Sequence, residues 1–177
     1  MRIFVTGSSG FIGFHLSKKL LEKGHRVHGF DSMNKYYDVN IKRERLKILK
    51  QYKKFSFTKN KLENKKILTD KILKFKPNVI IHLAAQAGVR YSIENPKAYM
   101  DSNITGTFNI IELAKKINVK HLLIASSSSV YGANEKLPFT EIDKTETQLS
   151  VYAATKKANE SIAHAYSNLW KIPITML

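Results

Sequence analysis

A chain of 177 residues with 43% hydrophobic content is long enough for one folded domain and too apolar for a disordered one. The absence of cysteine excludes disulfides and thiolate metal sites, and no apolar run reaches the ~20 residues of a membrane helix. Fourteen of the thirty basic residues that give the net charge of +16 fall between Lys42 and Lys76, against three acids (Glu44, Glu63 and Asp70). A basic balance of this size could serve RNA or an anionic membrane. Lysine, however, heavily outnumbers arginine, and no aromatic-interleaved arginine motif is present. A solvated lysine-rich face is expected, with no nucleic-acid or membrane partner. The N-terminus MRIFVTG lacks a basic segment followed by a long apolar stretch, so no signal peptide is read and a cytoplasmic location is expected.

Strand and helix patterns alternate. Arg2–Thr6 is a short apolar run, and Phe11 to about Lys23 has helical spacing, with Phe14, Leu16, Leu20 and Leu21 inward and Gly24 closing it. Arg26–Phe30 reads as a strand, Val39–Gln51 as a basic amphipathic helix with Ile41, Leu46 and Leu49 inward, Lys54–Thr58 as a weaker strand and Leu62–Phe75 as a helix. Asn78–Leu83 is the clearest strand. Asn95-Pro96 predicts a helix start, with proline at the first helical position, and one helix running to about Ile117. Lys120–Ser126 is a strand, Leu149–Trp170 a long helix, and Ile174 onward a strand just beginning. Repeated βα units predict a Rossmann-type α/β fold, a doubly wound parallel sheet with helices on both faces.

The first βα turn is TGSSGFIG. Gly7 permits a tight turn, Gly10 lets the backbone approach a pyrophosphate, and Gly13 allows close packing of helix on sheet, with free N–H groups at the helix start. No G-K-[ST] follows, so a nucleoside-triphosphate loop is not indicated. Asp31 ends the second strand, where a carboxylate accepts from both ribose hydroxyls and repels a 2′-phosphate; this favours NAD over NADP.

The fifth strand runs into Ser126-Ser127-Ser128-Ser129, delivering hydroxyls to the sheet edge. The next helix opens with YAATK, which puts Tyr152 and Lys156 on one face. A tyrosine is a poor base at neutral pH, but a neighbouring ammonium and a nicotinamide's positive charge both favour its phenolate. A serine hydroxyl beside it can hold a substrate oxygen. Arg90 could attract a substrate's negative charge or lie on the surface. The six histidines show no metal-ligand spacing, and His82, inside a strand, reads as a satisfied core residue.

Through TGSSGFIG, HLAAQAGVR, SSSSVYG and YAATK, the whole chain resembles the extended short-chain dehydrogenase/reductases, and within them the NAD-dependent nucleotide-sugar epimerases. The resemblance implies Ser127, Tyr152 and Lys156 as catalytic residues. It implies Gly7, Gly10, Phe11, Ile12, Gly13, Asp31, Leu62, Leu83, Ala84, Ala85 and Asn103 at the cofactor, with Tyr152 and Lys156 also touching it. It implies a UDP-sugar substrate, UDP-glucuronate ahead of UDP-glucose, inverted at C4 by way of a 4-keto intermediate. Dehydratase relatives resemble this pattern with Asp-Glu in place of Ser128-Ser129, and decarboxylating relatives keep a glutamate at the second position. The serines therefore point away from elimination, and we expect Ser127, Ser128 and Ser129 to face the sugar. One departure stands out: Lys61-Leu62 occupies the place of an Asp-Leu pair at the adenine. The resemblance also implies pairing into a homodimer through two helices, and a C-terminal substrate domain beyond the NAD-binding domain at 1–177. A non-catalytic basic protein on the same scaffold is the competing expectation.

Overall fold

The apolar runs read as strands pair, all parallel, into one sheet of six: β1 (Arg2–Thr6), β2 (Arg26–Asp31), β3 (Phe55–Lys59), β4 (Val79–His82), β5 (His121–Ile124) and β6 (Ile174–Met176). Their spatial order is β3-β2-β1-β4-β5-β6, so the chain leaves β1 in both directions across the sheet. This is the doubly wound order anticipated from sequence, and its crevice lies where β1 meets β4. A computed structural model describes all the residues, Met1–Leu177.

Side chains alternate across each strand, which splits the core in two. Phe4, Phe30, Ile80 and Leu122 face one layer of helices: α3 (Lys65–Phe75), α6 (Gly106–Lys116) and α7 (Val151–Trp170). Ile3, Val5, Val27 and Ile81 face the other, α1 (Phe11–Glu22) and α2 (Val39–Lys50). Leu68, Ile72, Ile110 and Ile111 are fully enclosed; truncating such a residue to alanine costs about 2–5 kcal/mol. Helix starts carry side-chain caps where the polar residue precedes the apolar run. Asp38 accepts from Asn40 N, Asn64 from Ile67 N and Ser150 from Ala153 N. The cap at Asn64 starts α3 at Lys65, three residues later than expected.

Two expectations change. The single helix predicted from Pro96 to Ile117 is a composite: α5 (Pro96–Tyr99), a π-helical turn (Met100–Thr105) and then α6, preceded by an unforeseen short α4 (Tyr91–Glu94). In α2 the inward stripe is Lys42, Leu46 and Leu49; Ile41 is 46% exposed, whereas Lys42 is only 4% exposed. The lysine-rich face is otherwise largely solvated, as expected. No helix is long and apolar enough to cross a membrane.

Candidate active site

The turn after β1 is built by close approach. Gly7 has φ +70°, and a Cβ there would lie 2.9 Å from the Ala84 nitrogen; a Cβ at Gly13 would overlap the Gly7 carbonyl. Thr6 reinforces the junction. Its Oγ1 accepts from Leu83 N and Ala84 N, both at 3.1 Å, pinning the end of β1 to the loop after β4. With both lone pairs used, its proton goes to His82 Nδ1 at 2.7 Å, so the imidazole carries its own proton on Nε2 and donates to Thr107 Oγ1 at 3.0 Å. Burial, and then the nearby Lys156 charge, push the His82 pKa down to about 3. It is the neutral core residue anticipated.

Helix α1 begins at Phe11 with no side-chain cap, leaving its first N–H groups to a ligand. The side chains of Phe11 and Ile12 are exposed, at 66% and 64%, and neither lines the cleft that Gly7 and Gly10 help form, so the N–H groups of this first turn are what these positions offer a dinucleotide. Asp31 is buried, and its oxygens accept from Ser9 N at 3.0 Å and Met33 N at 2.8 Å, which hold the carboxylate at the mouth of the turn. Gly7, Gly10, Asp31, Leu62, Leu83, Ala84 and Ala85, all singled out from sequence, line one cleft of about 650 Å³. That volume falls in the ~300–1,000 Å³ range of small-molecule sites. A turn that excludes a side chain, an uncapped helix start and a buried carboxylate together fit a dinucleotide.

At the end of the cleft near Asp31, Lys61 lines the cleft and is exposed; Leu62 is buried against Gly106, its carbonyl accepting from Asn109 Nδ2 at 3.0 Å. Lys42 joins this end unanticipated. Its Nζ donates to Asn34 O at 2.9 Å and Asn34 Oδ1 at 2.7 Å, and lies 4.3 Å from the centre of the Tyr37 ring. Burial lowers its pKa, and neighbouring Asp31 partly offsets this. The signal is present as spacing: residues 42, 46 and 49 share one helical face.

Of the catalytic candidates, Lys156 is tied directly to the end of β5; Ser127, Tyr152 and Lys156 are not among the residues that line the cleft. Lys156 on α7 is 5% exposed, and its Nζ donates to the Ala125 carbonyl at 2.8 Å, two residues before Ser127. Burial drops its pKa to about 8. The same Nζ sits 6.0 Å from the centre of the Tyr152 ring, within reach of the phenol's field. Tyr152 meets Tyr99 edge to face, with ring centres 6.0 Å apart, and Tyr99 is enclosed by hydrogen bonds from its hydroxyl to the Ala87 and Gly88 carbonyls.

Asn103, at 0% exposure, holds these parts in register. Its side chain accepts from Gln86 N at 2.8 Å and donates to Gln86 O and to Thr155 Oγ1, both at 3.1 Å; Thr155 in turn donates to the Tyr152 carbonyl at 2.8 Å. The π-helical turn carries this asparagine, joining the loop after β4 to α7. Widened turns of this kind recur at functional sites.

The four serines divide. Ser126 turns away to donate to Glu160. Ser127 caps a 3₁₀ turn (Ser128–Tyr131); its Oγ accepts from Ser129 N and donates to Ser129 Oγ, both at 3.2 Å. Ser128 is exposed. Arg90 is exposed at the start of α4 and does not line the cleft.

The family described as GDP-mannose 4,6 dehydratase matches residues 4–177. The chain belongs to that family. This agrees with the epimerase/dehydratase resemblance carried by the motifs. The chain is 53% identical over 175 residues to a protein of Rhizobium meliloti (strain 1021) named "Probable UDP-glucuronate 4-epimerase", covering 99% of this chain and 51% of that protein. Its fold superposes with a TM-score of 0.91 on the UDP-glucuronic acid 4-epimerase of Bacillus cereus in complex with UDP-glucuronic acid and NAD, at 31% identity, covering 99% of this chain and 55% of that one. The UDP-glucose 4-epimerase of Thermus thermophilus in complex with NAD gives a TM-score of 0.87 at 29% identity, over 99% and 54%. The chain thus spans about half the length of the relatives it matches.

Proposed function

We propose that the protein is an NAD-dependent UDP-sugar 4-epimerase, an isomerase, and that its substrate is UDP-glucuronate, converted to UDP-galacturonate. The observation that carries the reading is the buried Lys156 ammonium, fixed on the Ala125 carbonyl after β5 and 6.0 Å from the centre of the Tyr152 ring, in a chain whose β1 turn suits a dinucleotide. Likeness to the Rhizobium meliloti and Bacillus cereus proteins supports the choice of sugar.

Bound NAD supplies a reversible hydride acceptor at sugar C4. Tyr152 takes the proton of the 4-hydroxyl as the hydride leaves and returns it when the hydride comes back. Lys156 stabilises the phenolate by charge, and Ser127 can exchange its long bond to Ser129 for one to the sugar oxygen. No net oxidation results, because a hydride lost from one face of the sugar returns to the other. Gly7, Gly10, Phe11, Ile12 and Gly13 are assigned to the pyrophosphate through the turn and its N–H groups. Asp31 is assigned to the ribose, and Leu62, Leu83, Ala84 and Ala85 to the cleft walls.

The 4-keto intermediate of a uronic acid is a β-keto acid. It loses carbon dioxide when its carboxylate bond aligns with the carbonyl π system. Ser128 and Ser129 are assigned to hydrogen-bond that carboxylate and hold it out of alignment. Replacing both with alanine is expected to release UDP-pentose beside the epimer; decarboxylation unchanged from wild type would leave the serines with the turn alone. The UDP-sugar grip is assigned mainly to a C-terminal domain, the protein to the cytoplasm, and its pairing into a homodimer to α6 and α7. Phe108, Leu169 and Trp170 on these helices expose apolar surface.

The test is to incubate full-length protein and NAD with UDP-glucuronate and, separately, UDP-glucose, and to resolve the products. UDP-galacturonate from the first and little turnover of the second are expected. Dominant turnover of UDP-glucose would move the assignment to a UDP-glucose 4-epimerase. Tyr152→Phe is expected to lose about 10³-fold or more in kcat while keeping its melting temperature and NAD binding.

A further inference from the structure

We infer that Tyr36, seated against Gly88 and Tyr91, is a cofactor-retaining residue: its ring bridges the loops after β2 and β4 above the glycine turn and must swing aside for the dinucleotide to leave. The inference rests on the NAD-dependent reading above and adds residues that neither the motifs nor the comparisons assign. In the sheet β1 lies between β2 and β4, so the loops following β2 and β4 stand on either side of the turn that follows β1. They meet above it. The Tyr36 hydroxyl abuts Gly88, at φ +97°, so closely that a Cβ at Gly88 would overlap it, and the Tyr36 ring lies 5.2 Å from that of Tyr91, centre to centre. Tyr36 and Tyr91 both line the cleft whose floor holds Gly7 and Gly10.

The root of this bridge is anchored on the adenosine side. Lys42 holds Asn34 by two hydrogen bonds. Arg45 Nη1 reaches the Tyr37 hydroxyl at 3.2 Å and the Ser9 carbonyl at 3.4 Å, bolting the loop to the glycine turn. Its far end has no hydrogen bond across the cleft, only the aromatic clasp. The chain is anchored on both sides of Tyr36, at Asn34 and at Tyr37, whereas the Tyr36 ring is closed across the cleft by ring contact alone, so the side chain can swing aside without breaking those anchors. Tyr91 continues to Tyr99 at 6.3 Å and thence to Tyr152 at 6.0 Å, so the clasp and the catalytic phenol share one aromatic row.

The chemistry needs such a clasp. The hydride taken from C4 has to return to the same sugar, so a reduced cofactor that left early would strand a 4-keto sugar and stop the cycle. The test is the rate at which NADH leaves the full-length protein, followed by stopped-flow fluorescence against excess NAD, a readout that needs no turnover. Tyr36→Ala is expected to release NADH about tenfold faster, a change of ~1.4 kcal/mol. Tyr36→Phe keeps the ring on Tyr91 and is expected to stay within about twofold of wild type. Wild-type release from Tyr36→Ala, or release from Tyr36→Phe as fast as from Tyr36→Ala, overturns the clasp. A wild type that binds no NADH at all overturns the function reading instead, and the clasp with it.

Discussion

The proposed adenosine end and the proposed catalytic end of this molecule each bury one lysine and hold it differently. Lys42 is 4% exposed and Lys156 is 5% exposed. Lys42 has two acceptors on one residue, an aromatic face and a nearby carboxylate that partly offsets its burial, so it acts as a structural pin. Lys156 has a single neutral acceptor, the Ala125 carbonyl, and burial alone takes its pKa down to about 8. Burial holds both ammonium groups below the ordinary lysine range, and Lys156, with fewer partners, is left as a charge poised near neutrality.

Replacement by methionine, similar in length and uncharged, breaks the comparison most sharply at Lys156. Lys156→Met is expected to lower kcat by about 10²–10³-fold. It is also expected to stabilise the cofactor-free fold, by roughly 1–3 kcal/mol near neutral pH in urea titration. The sign follows from the lowered pKa. Between about 8 and the unfolded value near 10.5 the unfolded chain holds the lysine proton and the folded chain does not, so this residue's contribution to stability rises with pH across that window. The burial penalty is fully present below about pH 8. The variant should lose that rise.

Lys42→Met should behave in the opposite way. It removes two hydrogen bonds to Asn34 while relieving a burial penalty that Asp31 already partly offsets, and is expected to destabilise the fold by about 1 kcal/mol. Its functional effect should appear in NAD affinity, about tenfold weaker, with kcat at saturating NAD little changed. A fall in kcat equal to that of Lys156→Met would erase the distinction between the two ends. Asn103→Ala falls between the two in kcat: leaving the Gln86 N–H unpaired costs about 1–3 kcal/mol of stability. By loosening the tie to Thr155, it should reduce kcat about tenfold with little change in NAD affinity.

The comparison also explains which parts are legible in the sequence. The glycine turn, Asp31 and the Tyr152–Lys156 pair depend on local backbone geometry, so their spacing carries them; so do the strands, whose apolar runs are short and bounded. Lys42 reads as solvated from sequence because its burial depends on Asn34, eight residues earlier in an irregular loop, and no helical pattern announces an acceptor waiting there. Its place on the stripe with Leu46 and Leu49 is the available clue, masked because Ile41 is the more apolar neighbour. The π-helical turn at Met100–Thr105 escapes for a related reason: its widening serves a side chain, Asn103, whose partners lie 17 and 52 residues away in sequence. Ser126 leaves the row of hydroxyls because Glu160 on α7 faces it, which only the packed helix reveals.

The claim beneath all of this is that one hydride leaves sugar C4 and returns to the same carbon within a single closed site. It is tested most directly by giving the full-length protein UDP-glucuronate deuterated at C4, in ordinary water with NAD, and locating the isotope in the product. The account predicts UDP-galacturonate that keeps its deuterium at C4. Product with solvent hydrogen at C4, or deuterium accumulating in free NADH, would contradict it.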